Sequence, residues 1–391
     1  MKDTTGDRAR GRVRPRPLSS DGDAMEAIRR TLDTVPHPAR NARKRLIQVA
    51  RGGGITLVLG AGVSLPRGIP DWDTLAHKVW QEVFAKKRSP WKLSDTGRSP
   101  RNLPQFLPII FELAYRELGE KEFARILRER LYEHANFPIA DPKFSGSKET
   151  LAILARTIVQ EHRMRMRQRI SSVITFNADD LIEQAVCQLT GASDDRRRPS
   201  AMGIFRQMQT IRAVVRSTHA WAGQHRSPFI PVYHIHGFLP SGRLKAYSGH
   251  YEYMLVFTDT QYWSTSVSSF SFANRIMAAA LSEGCCIFVG ISMTDINLLR
   301  WLALRTLERD RDFLQAFAAS DRKVSPVTSL SLRAHFPRHF WIRPKSDDPD
   351  GFLSKFLLHR GIQTVEIDSW QTDSFQKLML ECFPALEDES G

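Results

Sequence analysis

The sequence predicts an α/β fold: a Rossmann-like parallel sheet with helices on both faces and an inserted or flanking helical subdomain. Three observations predict it. Short apolar runs bounded by glycine, asparagine or histidine alternate with longer stretches whose apolar residues recur at helical spacing. The runs at residues 55–59 (ITLVL) and 285–289 (CCIFV) are apolar almost throughout, as strands covered on both faces are. Polar signatures recur where the runs end, which is where open parallel sheets bind ligands.

The elements follow in order. Residues 1–22 are rich in Arg, Gly, Pro, Asp and Ser and lack apolar periodicity, so they read as a disordered basic arm. Residues 23–391 read as one domain, with the helical subdomain at about 76–170. One or two helices are expected within 23–50, then a strand at 55–59 and a helix at 73–84. A loop at 86–104 leads to a helix over 103–135, a loop at 137–147 and a basic helix at 150–169. Strands are expected at 172–176, 231–235, 285–289, 340–343 and 363–367, with a short one at 255–258. Helices are expected at 180–189, 270–281, from Thr294 or Asp295 to about 309, and at 352–359; residues 192–200 read as an exposed loop.

Composition narrows the function classes. With 42% hydrophobic and 25% charged residues, the 391-residue chain has ordinary globular composition and enough apolar side chains for a sizeable core. No apolar run reaches the ~20 residues that span a bilayer. The charged N-terminus has no apolar segment behind it, so no membrane or secretory signal is read and a cytoplasmic location is expected. A net charge of +14 would suit nucleic acid, but the arginines are dispersed and no nucleic-acid motif accompanies them. Direct nucleic-acid contact is therefore not favoured. The four cysteines, Cys187, Cys285, Cys286 and Cys382, form no C-x-x-C pair, so no metal site is expected.

Four strand ends carry the candidate chemistry. The first is Gly60-Ala61-Gly62-Val63-Ser64, continued by Gly68-Ile69-Pro70-Asp71-Trp72. Glycines there let backbone approach a pyrophosphate, and free N–H groups cradle its charge; a tight turn before a helix would use the same residues. The second, Asn177-Ala178-Asp179, reads either as a ligand site or as a helix cap. The third is Tyr233-His234-Ile235-His236-Gly237, whose alternation puts both histidines on one side of a strand. A histidine is the natural group to take a proton from a hydroxyl or water near neutral pH. The fourth is Gly290-Ile291-Ser292, with Asp295 as a cap for the next helix; Thr258 and Tyr262 read as structural.

Taken together, these motifs resemble the sirtuin family. The string G-A-G-V-S-x4-G-I-P-D-W resembles the NAD-binding loop, T-F-N-A-D the T-Q-N-x-D motif with Phe176 for Gln, and His236-Gly237 the catalytic His-Gly. The Trp72-Asp73 continuation looks like the divergent sirtuin-like NADases of bacterial anti-phage defence. The resemblance implies NAD as substrate, catalytic roles for Asn177 and His236, and cofactor contacts from Gly60, Ala61, Gly62, Ser64, Pro70, Asp71, Asp179, Gly290 and Ser292. Deacetylating sirtuins carry a four-cysteine zinc module after the catalytic histidine. This chain has no cysteine between Cys187 and Cys285, so the acyl-lysine cleft of those enzymes is not expected.

What the resemblance implies is an NAD glycohydrolase of abortive infection, yielding ADP-ribose and nicotinamide. Regulation is expected through a homo-oligomer or a partner, either a hexameric HerA-type ATPase or a short Argonaute. The competing expectation is a catalytically weak sirtuin-fold module that senses NAD or ADP-ribose and mediates assembly with a DNA-translocase ATPase.

Overall fold

The computed structural model describes residues 39–85, 107–164, 168–190, 211–214, 230–247, 255–319 and 338–384. The expected arm at 1–22 and the expected loops at 86–104 and 192–200 lie outside the described residues. The chain runs α1 (Ala39–Gly52), β1 (Ile55–Leu59), α2 (Trp72–Trp80), α3 (Leu107–Leu118), α4 (Glu120–Tyr132), α5 (Thr150–Arg163), β2 (Ile170–Thr175), α6 (Leu181–Leu189), β3 (Ile211–Val214) and β4 (Ile230–His234). It continues through α7 (Asp259–Val267), α8 (Phe272–Glu283), β5 (Cys285–Val289), α9 (Ile296–Ala319), β6 (His339–Pro344), α10 (Phe352–His359), β7 (Ile362–Ile367) and α11 (Ser374–Cys382).

The seven strands form one sheet in the order β3-β4-β2-β1-β5-β6-β7, and every pairing is parallel. From β1 the chain builds outward through β2 to β4, then returns to the other side of β1 as β5. The reversal opens a crevice at the carboxyl ends of β1 and β5, where such sheets take ligands. Both faces are covered, and the strand residues alternate between them. Ile55, Leu57, Leu59, Ile287 and Val289 face the helices that contribute Leu46, Leu75, Phe111, Phe123, Leu127, Leu151 and Phe375. Val58, Ile174, Cys286, Phe288 and Trp341 face Met277, Leu281, Leu298, Trp301 and Leu357. The helices between β1 and β2 therefore bury their apolar stripes in the same core as the sheet.

Several sequence expectations need correction. The helix over 103–135 is two helices, because Gly119 takes φ +74 and breaks the run. The basic helix stops at Arg163 instead of 169, and Glu161 turns back to accept hydrogen bonds from Arg169 N at 2.7 Å and Nε at 3.0 Å. No strand forms at 255–258. Val256 N donates to His236 O at 2.9 Å, and Thr258 then caps α7 in a capping box with Gln261. Strand β3 and helix α11 were not anticipated. Asp295 does cap α9, accepting from Leu298 N at 2.8 Å, and the helix runs on to Ala319. Among the described residues, no helix is long and apolar enough to cross a membrane.

The loops after β1 and β5 touch through glycine. A Cβ on Gly60 would lie 2.6 Å from Gly290 O, and one on Gly62 would lie 2.9 Å from Gly290 Cα. Gly290 itself has φ +64, and its Cβ would meet Val63 N at 2.7 Å. Gly60 N donates to Val289 O and Gly62 N to Gly290 O, at 3.1 and 2.8 Å. Gly290→Ala should therefore destabilise the fold by about 1–3 kcal/mol through overpacking and backbone strain, measured by urea unfolding.

Candidate active site

The carboxyl ends of β1, β2, β4 and β5 converge, and the second of them supplies the best-defined polar group. Asn177 follows β2, with its N–H fixed on Thr175 Oγ1 at 3.0 Å. Its side-chain Nδ2 donates to Gly60 O at 3.0 Å and to Ser64 Oγ at 3.1 Å. Both amide hydrogens are thus committed, and Oδ1 is left as the acceptor. Ser64 Oγ in turn donates a hydrogen bond to Asp179 Oδ1 at 3.2 Å, which also accepts from Leu181 N at 3.1 Å. Asn177, Ser64 and Asp179 therefore form one directed chain from β2 to the β1 loop.

The histidine motif splits. Strand β4 ends at His234 and the chain turns through Ile235 and His236, so the two histidines do not share an environment as simple alternation predicted. His234 Nδ1 meets Asn177 O at 3.1 Å, and its Nε2 meets Glu183 Oε1 at 2.7 Å. A carbonyl only accepts, so Nδ1 donates to it, and Nε2 is the nitrogen that faces the buried carboxyl. His234 thereby ties α6 to the backbone of Asn177.

His236 stands differently. It is buried, and neither ring nitrogen has a hydrogen-bond partner among the described residues. Its ring packs edge-on against Trp72 at 6.1 Å and Phe176 at 5.0 Å, and tilted against Tyr262 at 5.3 Å. Asp295 Oδ2 approaches Nε2 to 3.9 Å. Burial lowers the His236 pKa, against the raising effect of Asp295, so the ring is neutral at neutral pH. A buried imidazole with two idle nitrogens is rare unless a ligand or water completes it.

Trp72 joins the two halves. It touches His236, packs on Phe257 at 4.6 Å, and lines a cavity with Ala61, Pro70, Asn177, Asp179 and Phe257. The cavity measures about 30 Å³. A water occupies ~10–15 Å³ on this scale, so one or two fit and a nicotinamide does not.

The remaining sequence candidates divide. Ser64 is buried at the site, while Gly60, Gly62 and Gly290 serve the loop contact described above. The N–H groups of Gly60, Gly62, Val63 and Ser64 all bond to carbonyls within the two loops. Ala61 lines the cavity beside them. Asp71 is exposed and caps α2 through Thr74 N at 2.8 Å. Ser292 is exposed and bonded to Thr294 Oγ1 at 2.7 Å. A larger cavity of about 390 Å³ lies beyond the β1 loop, but there Arg67 is already clamped by Asp141 at 2.7 Å and Glu149 at 2.6 Å.

Sequence reasoning missed Asp295 as a neighbour of His236, and Phe176, Tyr262 and Phe257 as walls. It also missed Glu183, whose one signal was a carboxylate on the apolar face of α6 beside Leu181, Ile182 and Val186. Asp180 is a further buried acid, held by Ser241 Oγ at 2.9 Å and Gln184 Nε2 at 2.8 Å.

Desolvation pushes the Asp179 carboxyl up to about 6. A carboxyl raised in the folded state costs stability as pH rises from its unfolded value near 4 towards 6, and the cost is complete above that. Asp179→Asn keeps the acceptor for Ser64 and Leu181 and removes the charge. It should stabilise the protein by on the order of 2 kcal/mol at pH 7.5 and by little at pH 4, read from denaturant unfolding at both values.

Residues 171–335 match the family model of the SIR2-like domain, a stretch that includes Asn177, Asp179, His236, Gly290 and Asp295. The β1 loop lies outside the matched residues yet packs on Gly290 within them. No curated protein matches the chain. Residues 171–335, which carry part of the candidate site at the ends of a parallel α/β sheet, are thus similar to the SIR2-like domain, a likeness that suggests an NAD-related function.

Proposed function

We propose that this chain is an NAD glycohydrolase, splitting NAD with water into ADP-ribose and nicotinamide. The observation that carries the reading is His236: a buried, neutral imidazole with both nitrogens unpartnered, in a SIR2-like domain. Trp72 links it to the Asn177–Ser64–Asp179 chain.

The residues fit that reaction. Asn177 Oδ1 is free to accept a hydrogen bond and so to orient a water or a ribose hydroxyl. His236 takes the proton as the water oxygen bonds to the ribose C1. The C1–nitrogen bond breaks with its electron pair going to nicotinamide, which leaves as a neutral pyridine. One base and no acid are needed. The sugar carries oxocarbenium character in such a transition state, so water exclusion by Trp72 and Phe257 strengthens the nearby dipoles. Ala61 and the Asp179 carboxyl are left to hold the rest of the dinucleotide. Deacylation is disfavoured because the chain has no cysteine between Cys187 and Cys285 to build a zinc module.

The proposal extends to regulation. A cavity of about 30 Å³ suits an enzyme held closed until the Trp72 segment moves. Such an enzyme would serve abortive anti-phage defence, with opening driven by homo-oligomerisation or by a partner such as a HerA-type ATPase or a short Argonaute. The same closed cavity favours a second reading, a catalytically weak module that senses NAD or ADP-ribose.

The test is NAD loss and ADP-ribose formation by the purified full chain, alone and with each partner class. The expected result is turnover that falls at least ~100-fold in His236→Ala and in Asn177→Ala. Ser64→Ala, which frees the Asn177 amide, should cost roughly 10-fold. Saturable NAD binding without turnover in any condition would favour the sensing module, and neither binding nor turnover would overturn both readings.

A further inference from the structure

We infer that Asp295 is the positioning carboxylate of His236, setting which ring nitrogen faces the substrate and holding the imidazolium that forms when the ring accepts a proton. The inference rests on the NAD glycohydrolase reading and adds to it a residue that the helix-capping role does not explain.

Asp295 has two oxygens with two tasks. Oδ1 accepts from Leu298 N at 2.8 Å, which completes the cap of α9. Capping needs nothing more, and serine or asparagine would serve it equally. Oδ2 instead points at His236, 3.9 Å from Nε2. The Tyr262 ring packs on His236 at 5.3 Å, and its hydroxyl is pushed above its usual range by burial and by the nearby Asp295 charge. The carboxylate is therefore held by its helix on one side and flanked by α7 on the other. The loop that delivers it contains Met293, buried and at φ +60, the one non-glycine residue with positive φ among the described residues. Strain of this kind persists where the surroundings over-determine a conformation.

A carboxylate only accepts hydrogen bonds, so it favours the tautomer with hydrogen on Nε2 and the lone pair on Nδ1. At 3.9 Å the contact is too long for a hydrogen bond, and it becomes an ion pair only when the ring is protonated. When Nδ1 takes the proton released by water as its oxygen bonds to the ribose carbon, the ring becomes a cation. Its Nε2–H is then drawn to Asp295. The logic is that of a carboxylate orienting a catalytic histidine. Among the described residues, Asp295 and Tyr262 are the titratable groups facing the ring, and Trp72 and Phe176 close its other sides.

Asp295→Asn keeps the cap and the volume but removes the charge; Asp295→Ser keeps the cap and removes the second oxygen. Both should lower kcat by about 10- to 100-fold while the KM for NAD changes less than about 3-fold. The acid limb of the pH profile should move to lower pH in Asp295→Asn, because the ring loses the charge that favours its protonated form. The His236 ring signal, followed by NMR without turnover, should titrate lower as well. Wild-type kcat and an unshifted limb in both variants, with His236→Ala inactive, would overturn the role of Asp295 and leave the glycohydrolase reading standing. If the wild-type chain proves inactive that reading fails, and an unmoved NMR titration in Asp295→Asn would then overturn the pairing as well.

Discussion

The backbone contact between the loops after β1 and β5 governs the rest of the site. Gly60, Gly62 and Gly290 approach so closely that none of the three tolerates a Cβ, and two hydrogen bonds lock the loops together. This packs the two loops together at the point where the strand order reverses. It places Gly60 O where Asn177 Nδ2 can reach it, and Ser64 where it can bridge Asn177 and Asp179. The glycines of a phosphate-binding signature here do steric work first, and whatever they offer an anion follows from the turn they permit.

On that frame the molecule concentrates buried polar groups that a purely structural design would avoid. Asp179 and Asp180 both lie under the β2 end with carboxyls pushed up to about 6 by desolvation. Glu183 and His234 are buried as a pair, and His236 has no hydrogen-bond partner among the described residues. Each costs stability on its own. Asn177 and Asp179 line the small cavity under Trp72, and His236 packs against the same Trp72 ring, an arrangement that fits pre-organisation for a ligand.

Much of the fold was legible because it rests on local pattern. The fully apolar runs at 55–59 and 285–289 became strands as expected, and residues 352–359 formed a helix end to end. What escaped depended on tertiary context. Strand β3 has only four residues, and its identity comes from pairing with β4. Residues 255–258 look like a strand but find only one backbone partner, at His236, before a capping box starts α7. At the site, Asn177, Asp179 and His236 were readable by motif. Asp295 was readable only as a cap, because one carboxylate oxygen serves its own helix and the other serves a residue 59 positions away. The aromatic wall of Trp72, Phe176, Phe257 and Tyr262 has no spacing of its own, since three separate segments supply it.

The central claim is that the idle imidazole of His236 faces a nucleotide bound at these strand ends. An experimental structure of the full chain with ADP-ribose tests it most directly. The account predicts ligand density over the carboxyl ends of β1, β2 and β4 beside Asn177, Trp72 displaced from its present packing, and a ribose hydroxyl within about 3 Å of a His236 nitrogen. A ligand bound elsewhere, with His236 still walled in by Trp72, Phe176 and Tyr262, would contradict it.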